Sequence, residues 1–551
     1  MARKLSSASR RRLLQHTSLL LGGMAASAWL PGHRAAFAAE APTARIKKGG
    51  VLVLVDNPEP ATLASYISTS GPIHPVTTKI YEGLLEYDFD LTPRPGLAES
   101  WSLSDDKKSV TFNLRKGVLW HDGAPFTSAD VKFSIMNVLK VMHPRGMIIF
   151  APVVDVETPD EHTVILRMSE PNPAMMMGLS LRESPMVPKH ILEQGDIRQN
   201  ANANEPIGTG PFVFKSWKRG NYILLERNPK YWQASRPHLD KVVFRFLPDA
   251  SARAAALRQD EIQVAAYNSV QLSDVKRLTE GTDLAFTTRG YEMISPMALM
   301  EMNTRIAPFD NLLVRQAVAH AIDRKFIIDN IWFGFGKPAT GPISSNFSKI
   351  GLYEPDVMAY DFNVDKANEL LDQAGHKRNA AGVRFEIWHD ILPYGLEWKM
   401  LGEYFLQALA KVGITVKIRY EDVARFMRRV YTENDFHINS VWLSNQADPV
   451  LGVARTYTTA GIQKGVALSN GSGYSNAEVD RLFMQARSEP DGKARAEQYR
   501  AAQRQIVKDC PCIWVSEMQF VTLYNKRVNN LVQNPLGVDS GLADAWMGEK
   551  A

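Results

Sequence analysis

Val383-Arg384-Phe385-Glu386-Ile387-Trp388 alternates in side-chain character, and Ile414-Thr415-Val416-Lys417-Ile418-Arg419-Tyr420 alternates again further on. Between them, residues 396–412 carry Leu401, Phe405, Leu409 and Val412 at helical spacing, and Gly413 ends the run. A period of two, then 3.6, then two again is the pattern of strand, helix and strand. Such a unit joins parallel strands by a right-handed crossover. The chain is therefore expected to be an α/β protein, with a mostly parallel sheet around this unit.

Outward from the unit, a helix is expected over 423–432 and a strand over 436–442. Two more helices are marked by their ends: 363–374, with Asn363 as cap and Gly375 beyond it, and 476–487. Near the other end, Val51-Leu52-Val53-Leu54-Val55 is an unbroken apolar run, which suits a strand covered on both faces. It leads into an irregular loop, 57–75, punctuated by Pro58, Pro60, Gly71, Pro72 and Pro75. Loops of that length inside a folded domain are usually functional or disordered. Open α/β sheets bind ligands beyond the carboxyl ends of their strands. That rule places 57–75, 389–394 and 443–449 at a candidate pocket.

The chain has 551 residues, 45% hydrophobic and 22% charged, which is ordinary globular composition. Its length exceeds one hydrophobic core, so at least two lobes are expected. Ser9-Arg10-Arg11-Arg12-Leu13-Leu14 fits a twin-arginine export pattern, and Ala36-Phe37-Ala38 fits its cleavage site. Gly22, Gly23 and the Pro31-Gly32 break interrupt the apolar stretch between them. A spanning helix wants about 20 solidly apolar residues, so 1–38 is expected to be a removable signal peptide and the mature protein periplasmic. No cysteine stands there for a lipid, so no membrane anchor is expected.

The signal also accounts for the basic balance. The whole chain has 64 Lys+Arg against 59 Asp+Glu, and residues 1–38 hold six of the basic ones and no acid, which leaves 58 against 59. A near-neutral protein without basic runs has no electrostatic footprint for nucleic acid.

Few motifs invite chemistry. Within Trp120-His121-Asp122-Gly123 the His-Asp pair is expected to form a turn rather than a catalytic dyad. Cys510-Pro511-Cys512 holds the only two cysteines, too few for a closed zinc site. A bridge across one residue would be strained, so two small buried residues are expected. The histidines show no metal-ligand spacing, and no P-loop, dinucleotide fingerprint or nucleophile elbow occurs. No metal, cofactor or catalytic residue is expected. A hydrolase built on paired carboxylates has no sequence spacing to betray it and stays open as an alternative.

Several stretches resemble the dipeptide-, oligopeptide- and nickel-binding proteins of ABC importers, bacterial extracellular solute-binding protein family 5. They are Gly96-Leu97-Ala98-Glu99-Ser100-Trp101, Trp120-His121-Asp122-Gly123 with Pro125-Phe126-Thr127, Ile207-Gly208-Thr209-Gly210-Pro211-Phe212, Glu226-Arg227-Asn228-Pro229, Asn303-Thr304 with Pro308-Phe309, and Gly473-Tyr474-Ser475-Asn476. The resemblance implies the two-lobed periplasmic-binding-protein fold (type II), with mixed sheets, an inserted subdomain and a cleft between the lobes. Carried over, the first lobe takes 45–81, 206–305 and 524–551, the insertion 82–205, and the second lobe 306–523, with crossings near 299–303 and 520–524. The implied protein is no enzyme but a monomer that captures a short peptide or related small solute and delivers it to ABC permease subunits. An opine, an oligosaccharide or a metallophore are alternatives of the same class.

The resemblance also implies a site. In peptide-binding relatives a Trp-x-x-Asp stretch pairs its backbone with the ligand, and its Asp holds the α-ammonium. Here Trp442 and Leu443 match, but Asn445 stands at the ammonium position, followed by Asp448-Pro449. Either the ligand lacks a free amine at that end, or Asp448 supplies the charge. By spacing, Thr69, Ser70 and Gly71 are expected to face Trp442 and Leu443 from the first lobe.

Overall fold

Strands Phe385–Ile391 and Ile414–Arg419 lie parallel, Phe385 opposite Ile414 and Asp390 opposite Arg419, joined by helix Leu396–Lys411. This computed structural model describes residues 46–549, so the export signal expected in 1–38 lies outside the described residues. The helix buries Trp398, Leu401, Phe405 and Leu409. Gly402 sits on the same face because a Cβ there would come within 1.9 Å of the Ile391 side chain. The helix backbone approaches the sheet that closely.

The unit belongs to a six-stranded sheet ordered Gly336–Pro338, Cys512–Met518, Pro296–Met302, Ile438–Ser444, Phe385–Ile391, Ile414–Arg419. The expectation of a mostly parallel sheet is corrected. Only the two pairings made by Phe385–Ile391 are parallel, and the other three are antiparallel. The reason is topological: Pro296–Met302 and Cys512–Met518 enter from and leave to another sheet instead of being joined by crossover helices.

That other sheet has seven strands, ordered Leu284–Thr287, Thr522–Asn525, Val264–Ala265, Val51–Val55, Lys241–Arg245, Tyr222–Arg227, Phe212–Lys218. Val51–Val55 is central and parallel to both neighbours, as its unbroken apolar run suits. A separate antiparallel sheet of four strands, Ala98–Leu103, Ser109–Leu114, Thr163–Met168 and Val153–Asp160, occupies the middle of the 82–205 segment. The chain passes between the two large sheets through 288–295 and again through 519–521. Pro296–Met302 thus hydrogen-bonds within the six-stranded sheet, whereas the boundary expected at 305 would put it in the first lobe.

The local signals agree with the backbone. Asn363 accepts from the Lys366 N–H to cap helix Val364–Gln373, and Asn476 accepts from Glu478 and Val479 to cap Ala477–Ser488. Gly375, beyond the first of these, has φ +86°, a conformation that favours glycine. The helix expected over 423–432 is found as Val423–Arg428 and continues as a wider π-turn through Glu433. The His121-Asp122 pair lies in a turn closed by the Gly123 N–H on the Trp120 carbonyl, with Gly123 at φ +96°. Both cysteines are free and buried, and burial pushes the Cys510 thiol up to about 12.

Candidate functional site

The two crossing segments meet strand Ile438–Ser444 at an aromatic cluster. Trp442, half-buried, sets its ring edge-on to Phe520 at 5.4 Å between centroids. Phe520 lies in the second crossing and packs edge-on against Tyr291 of the first at 5.5 Å. Tyr267, in the loop after Val264–Ala265, completes the group at 5.1 Å from Tyr291 and 5.8 Å from Phe520. Offset and edge-on ring pairs of this kind hold a fixed geometry. The Tyr291 hydroxyl accepts from the Tyr267 N–H (3.1 Å) and meets the Thr522 hydroxyl at 2.6 Å.

Beside this cluster one edge of a buried strand has no strand partner. Val441–Ser444 is paired on one side with Pro296–Leu299. On the other side its neighbour Phe385–Ile391 pairs only with residues 438–440. Among the described residues no further strand covers that edge, which runs past Trp442 and Leu443. An unpaired strand edge is a template for an extended partner.

The residues singled out as amine-binding have other work. Asn445 is buried, and its amide oxygen accepts from the Ser344 N–H (2.6 Å) while its nitrogen donates to the Pro342 carbonyl (3.1 Å). It fixes the 342–344 loop. Asp448 is 1% exposed, with both carboxylate oxygens held by the Arg495 guanidinium at 2.9 and 2.7 Å. It also caps helix Pro449–Gly452 through the Val450 N–H. Burial works against the Arg495 charge, but Asp448 outweighs it and holds that pKa above the ordinary arginine range. Asp448 is therefore already neutralised from within. Thr69 is half-buried, and Ser70 and Gly71 are exposed at the start of the short helical turn Gly71–Ile73. Among the described residues no hydrogen bond or ring contact joins these three to Trp442 or Leu443.

The same turn leads into a charged cluster with no periodicity to reveal it. His74 follows Ile73, and its ring is held far below the usual histidine range by burial first, then by Arg182, Arg145 and His143. Arg182 pairs with Asp539, which also accepts from the Tyr267 hydroxyl at 2.5 Å, linking the cluster to the aromatic group. Arg145 pairs with Glu183, and Arg182 lies 3.7 Å from the same carboxylate. Burial and then the Arg145 guanidinium depress the pKa of Arg455, on the helical turn Ala454–Tyr457 that follows the six-stranded sheet's Ile438–Ser444. These residues stand as isolated Arg, His and Asp in the sequence, so no motif could have gathered them. Among the described residues no three or more His, Cys, Asp or Glu side chains gather as a metal site. No described helix is long and apolar enough to cross a membrane.

The chain is similar to known proteins over most of its length. Residues 92–464 match the bacterial extracellular solute-binding proteins, family 5 Middle, and the chain belongs to that family. The chain is 27% identical over 516 residues to a dipeptide-binding protein of Escherichia coli K12, covering 88% of this chain and 92% of that one. Its fold matches the periplasmic binding protein DppA of Helicobacter pylori in complex with the peptide STSA, with a TM-score of 0.76, 25% identity and coverage of 91% and 99%. It also matches AgaA of A. tumefaciens R10 in complex with agropinic acid, with a TM-score of 0.74, 27% identity and coverage of 91% and 99%. The family resemblance and the two-lobed α/β fold expected from the sequence are both borne out.

Proposed function

We propose that the chain is the periplasmic capture subunit of an ABC importer, binding a short peptide or related small solute between its two large sheets without chemical change. The observation that carries this reading is the edge of Val441–Ser444 that has no strand partner, beside Trp442, where the chain crosses between sheets. An extended ligand would add there as a further strand, with backbone bonds indifferent to its side chains. Trp442 and Leu443 would form the wall, and Thr69, Ser70 and Gly71 the facing rim. Asn445 and Asp448 would shape the floor from inside the protein rather than touch the ligand's amine.

In this reading the first lobe is 45–81, 206 to the first crossing, and the tail after the second crossing. The insertion is 82–205, and the second lobe runs between the crossings. The protein would be a monomer, exported by the twin-arginine signal of 1–38 and released after Ala38. Exchange of Arg10 and Arg11 for Lys should stop its accumulation outside the cytoplasm.

The test is incubation of the purified protein with a mixture of di- to pentapeptides, followed by mass spectrometry of what is bound and what is free. Peptides retained by the protein and recovered intact support the reading. Cleavage products made by the purified protein would make it a hydrolase and overturn capture without chemistry.

A further inference from the structure

A cavity of about 590 Å³ lies away from the aromatic seam, and neither Trp442 nor any residue of the six-stranded sheet lines it. Glu82, Glu86, Arg94 and Arg115 reach it from the start of the inserted segment, Arg236 from the turn between Tyr222–Arg227 and Lys241–Arg245, and Asp544 from the C-terminal tail. Its volume falls within the range of about 300–1,000 Å³ that small-solute sites occupy.

The charges that line it do not cancel. Each guanidinium is already committed: Arg94 to Asp88 at 2.7 Å, Arg236 to Asp544 at 2.6 Å, and Arg115 to Glu99 at 3.5 Å, with its guanidinium over the Trp232 ring at 4.3 Å. Glu82 accepts from the Thr209 and Tyr231 hydroxyls at 2.8 Å each and from the Trp232 indole N–H at 3.0 Å. Glu86 is different. Its strand neighbours Leu85 and Tyr87 are buried on one face, so alternation turns Glu86 to the other, where it lines the cavity. Arg94 stands directly across from it, yet that guanidinium is given to Asp88. Among the described residues the Glu86 carboxylate has no hydrogen bond and no ion pair. Burial, opposed by Arg94 and reinforced by Asp544, raises its pKa above the ordinary carboxylate range.

An enclosed carboxylate that its own fold leaves unmatched calls for an account. The group that would satisfy it is positively charged and rich in donors. Among the described residues no three metal-ligating side chains gather, which favours a nitrogen base over a metal ion. Asn530 and Gln533 line the same cavity, and their side-chain amides bond nothing else among the described residues, so they can both donate and accept. We infer that this cavity is a second binding site, separate from the proposed cleft, for a small organic cation. Its ammonium or guanidinium group pairs with Glu86, and its remaining polar groups meet the Asn530 and Gln533 amides. Every lining residue lies in the seven-stranded sheet's lobe, the insertion or the tail, so occupancy does not depend on what the cleft holds.

The test uses calorimetry on the purified full chain near neutral pH and at fixed ionic strength, with agmatine, putrescine and the uncharged butanediol as probes. The proteins are wild type, Glu86→Gln, Glu86→Asp and Trp442→Ala. Because the Glu86 side chain makes no bond in the fold, Glu86→Gln should fold normally, which circular dichroism checks. The expected result is one cation bound per chain and no binding of butanediol. A charge-assisted bond lost to Gln should weaken the cation by about tenfold or more, and Glu86→Asp should fall between Gln and wild type. Trp442→Ala should bind the cation as the wild type does. Equal affinity in wild type and Glu86→Gln, or no binding of either cation, overturns the second site. Loss of cation binding in Trp442→Ala overturns it as well, by moving the cation to the cleft. Peptide retention by Glu86→Gln, measured separately, tests capture independently of this site.

Discussion

Asp448→Asn separates a structural carboxylate from a ligand-binding one. The substitution keeps a side-chain oxygen for the Val450 N–H, and Asn caps helices as well as Asp. What it removes is the charge facing Arg495, whose side chain is only 9% exposed. The guanidinium would keep the Ala486 carbonyl at 2.9 Å and the Tyr499 hydroxyl at 3.2 Å, neither of them charged. Stripping one partner from a buried pair costs about 3–5 kcal/mol, because the other charge stays buried and uncompensated. Urea unfolding of Asp448→Asn should therefore show a stability loss of that order. The double variant Asp448→Leu, Arg495→Met should recover much of it, since an apolar pair of similar size carries no desolvation cost. Well below the unfolding midpoint, the single variant should bind the native solute as the wild type does. An unchanged urea midpoint together with lost binding would refute the reasoning, and would return Asp448 to the ligand's ammonium.

Trp442→Ala should abolish most of the ligand-induced change in tryptophan fluorescence and weaken binding at least tenfold; an unaltered response would remove Trp442 from the site. Glu301 is buried, and burial, against the hydrogen bond from Asn439, raises its carboxyl from 4.5 to about 7. Below about 4.5 both folded and unfolded chains hold this proton, and between there and 7 only the folded one does. Stability should thus fall as pH rises through that window, by about 3 kcal/mol from this group. Glu301→Gln should remove that part of the slope in urea titrations at pH 5 and 8, and identical wild-type and variant slopes would refute it. Cys510 and Cys512, buried with thiols pushed upward, should stay unreactive to a thiol reagent at pH 8 until urea unfolds the protein.

Periodicity carried the fold a long way and the site only part of it. The strand–helix–strand unit at 383–420 was legible because each period persists over several residues and Gly413 punctuates it. Caps such as Asn363 and Asn476 were legible because their bonds are local. The antiparallel insertion of Pro296–Met302 and Cys512–Met518 into the same sheet was not, since strand order depends on pairings between residues more than 200 apart. Trp442 could be placed on the seam through resemblance alone. Resemblance alone singles out Asn445 and Asp448, and their bonds to Ser344 and Arg495, 101 and 47 residues away, have no signal in the sequence. The charged cluster was wholly hidden: His74, Arg145, Arg182, Arg455 and Asp539 converge only in three dimensions.

The backbone is itself under tension where the chain crosses between the two large sheets. Tyr267, Asn268, Ser295 and Gln446 all have φ between +43° and +57°, the left-handed region that costs non-glycine residues roughly 1–2 kcal/mol. Each is held there by bonds to the crossings or to strand Ile438–Ser444's continuation. The Asn268 side chain accepts from the Val521 N–H at 2.6 Å, the Ser295 carbonyl accepts from the Asn445 N–H at 3.2 Å, and the Gln446 N–H donates to the Ile294 carbonyl at 3.2 Å. Four such residues flank both passages of the chain, so backbone strain is concentrated where the two large sheets are joined. Strain of this kind collects at functional segments, and a strand added along Val441–Ser444 would lie beside it.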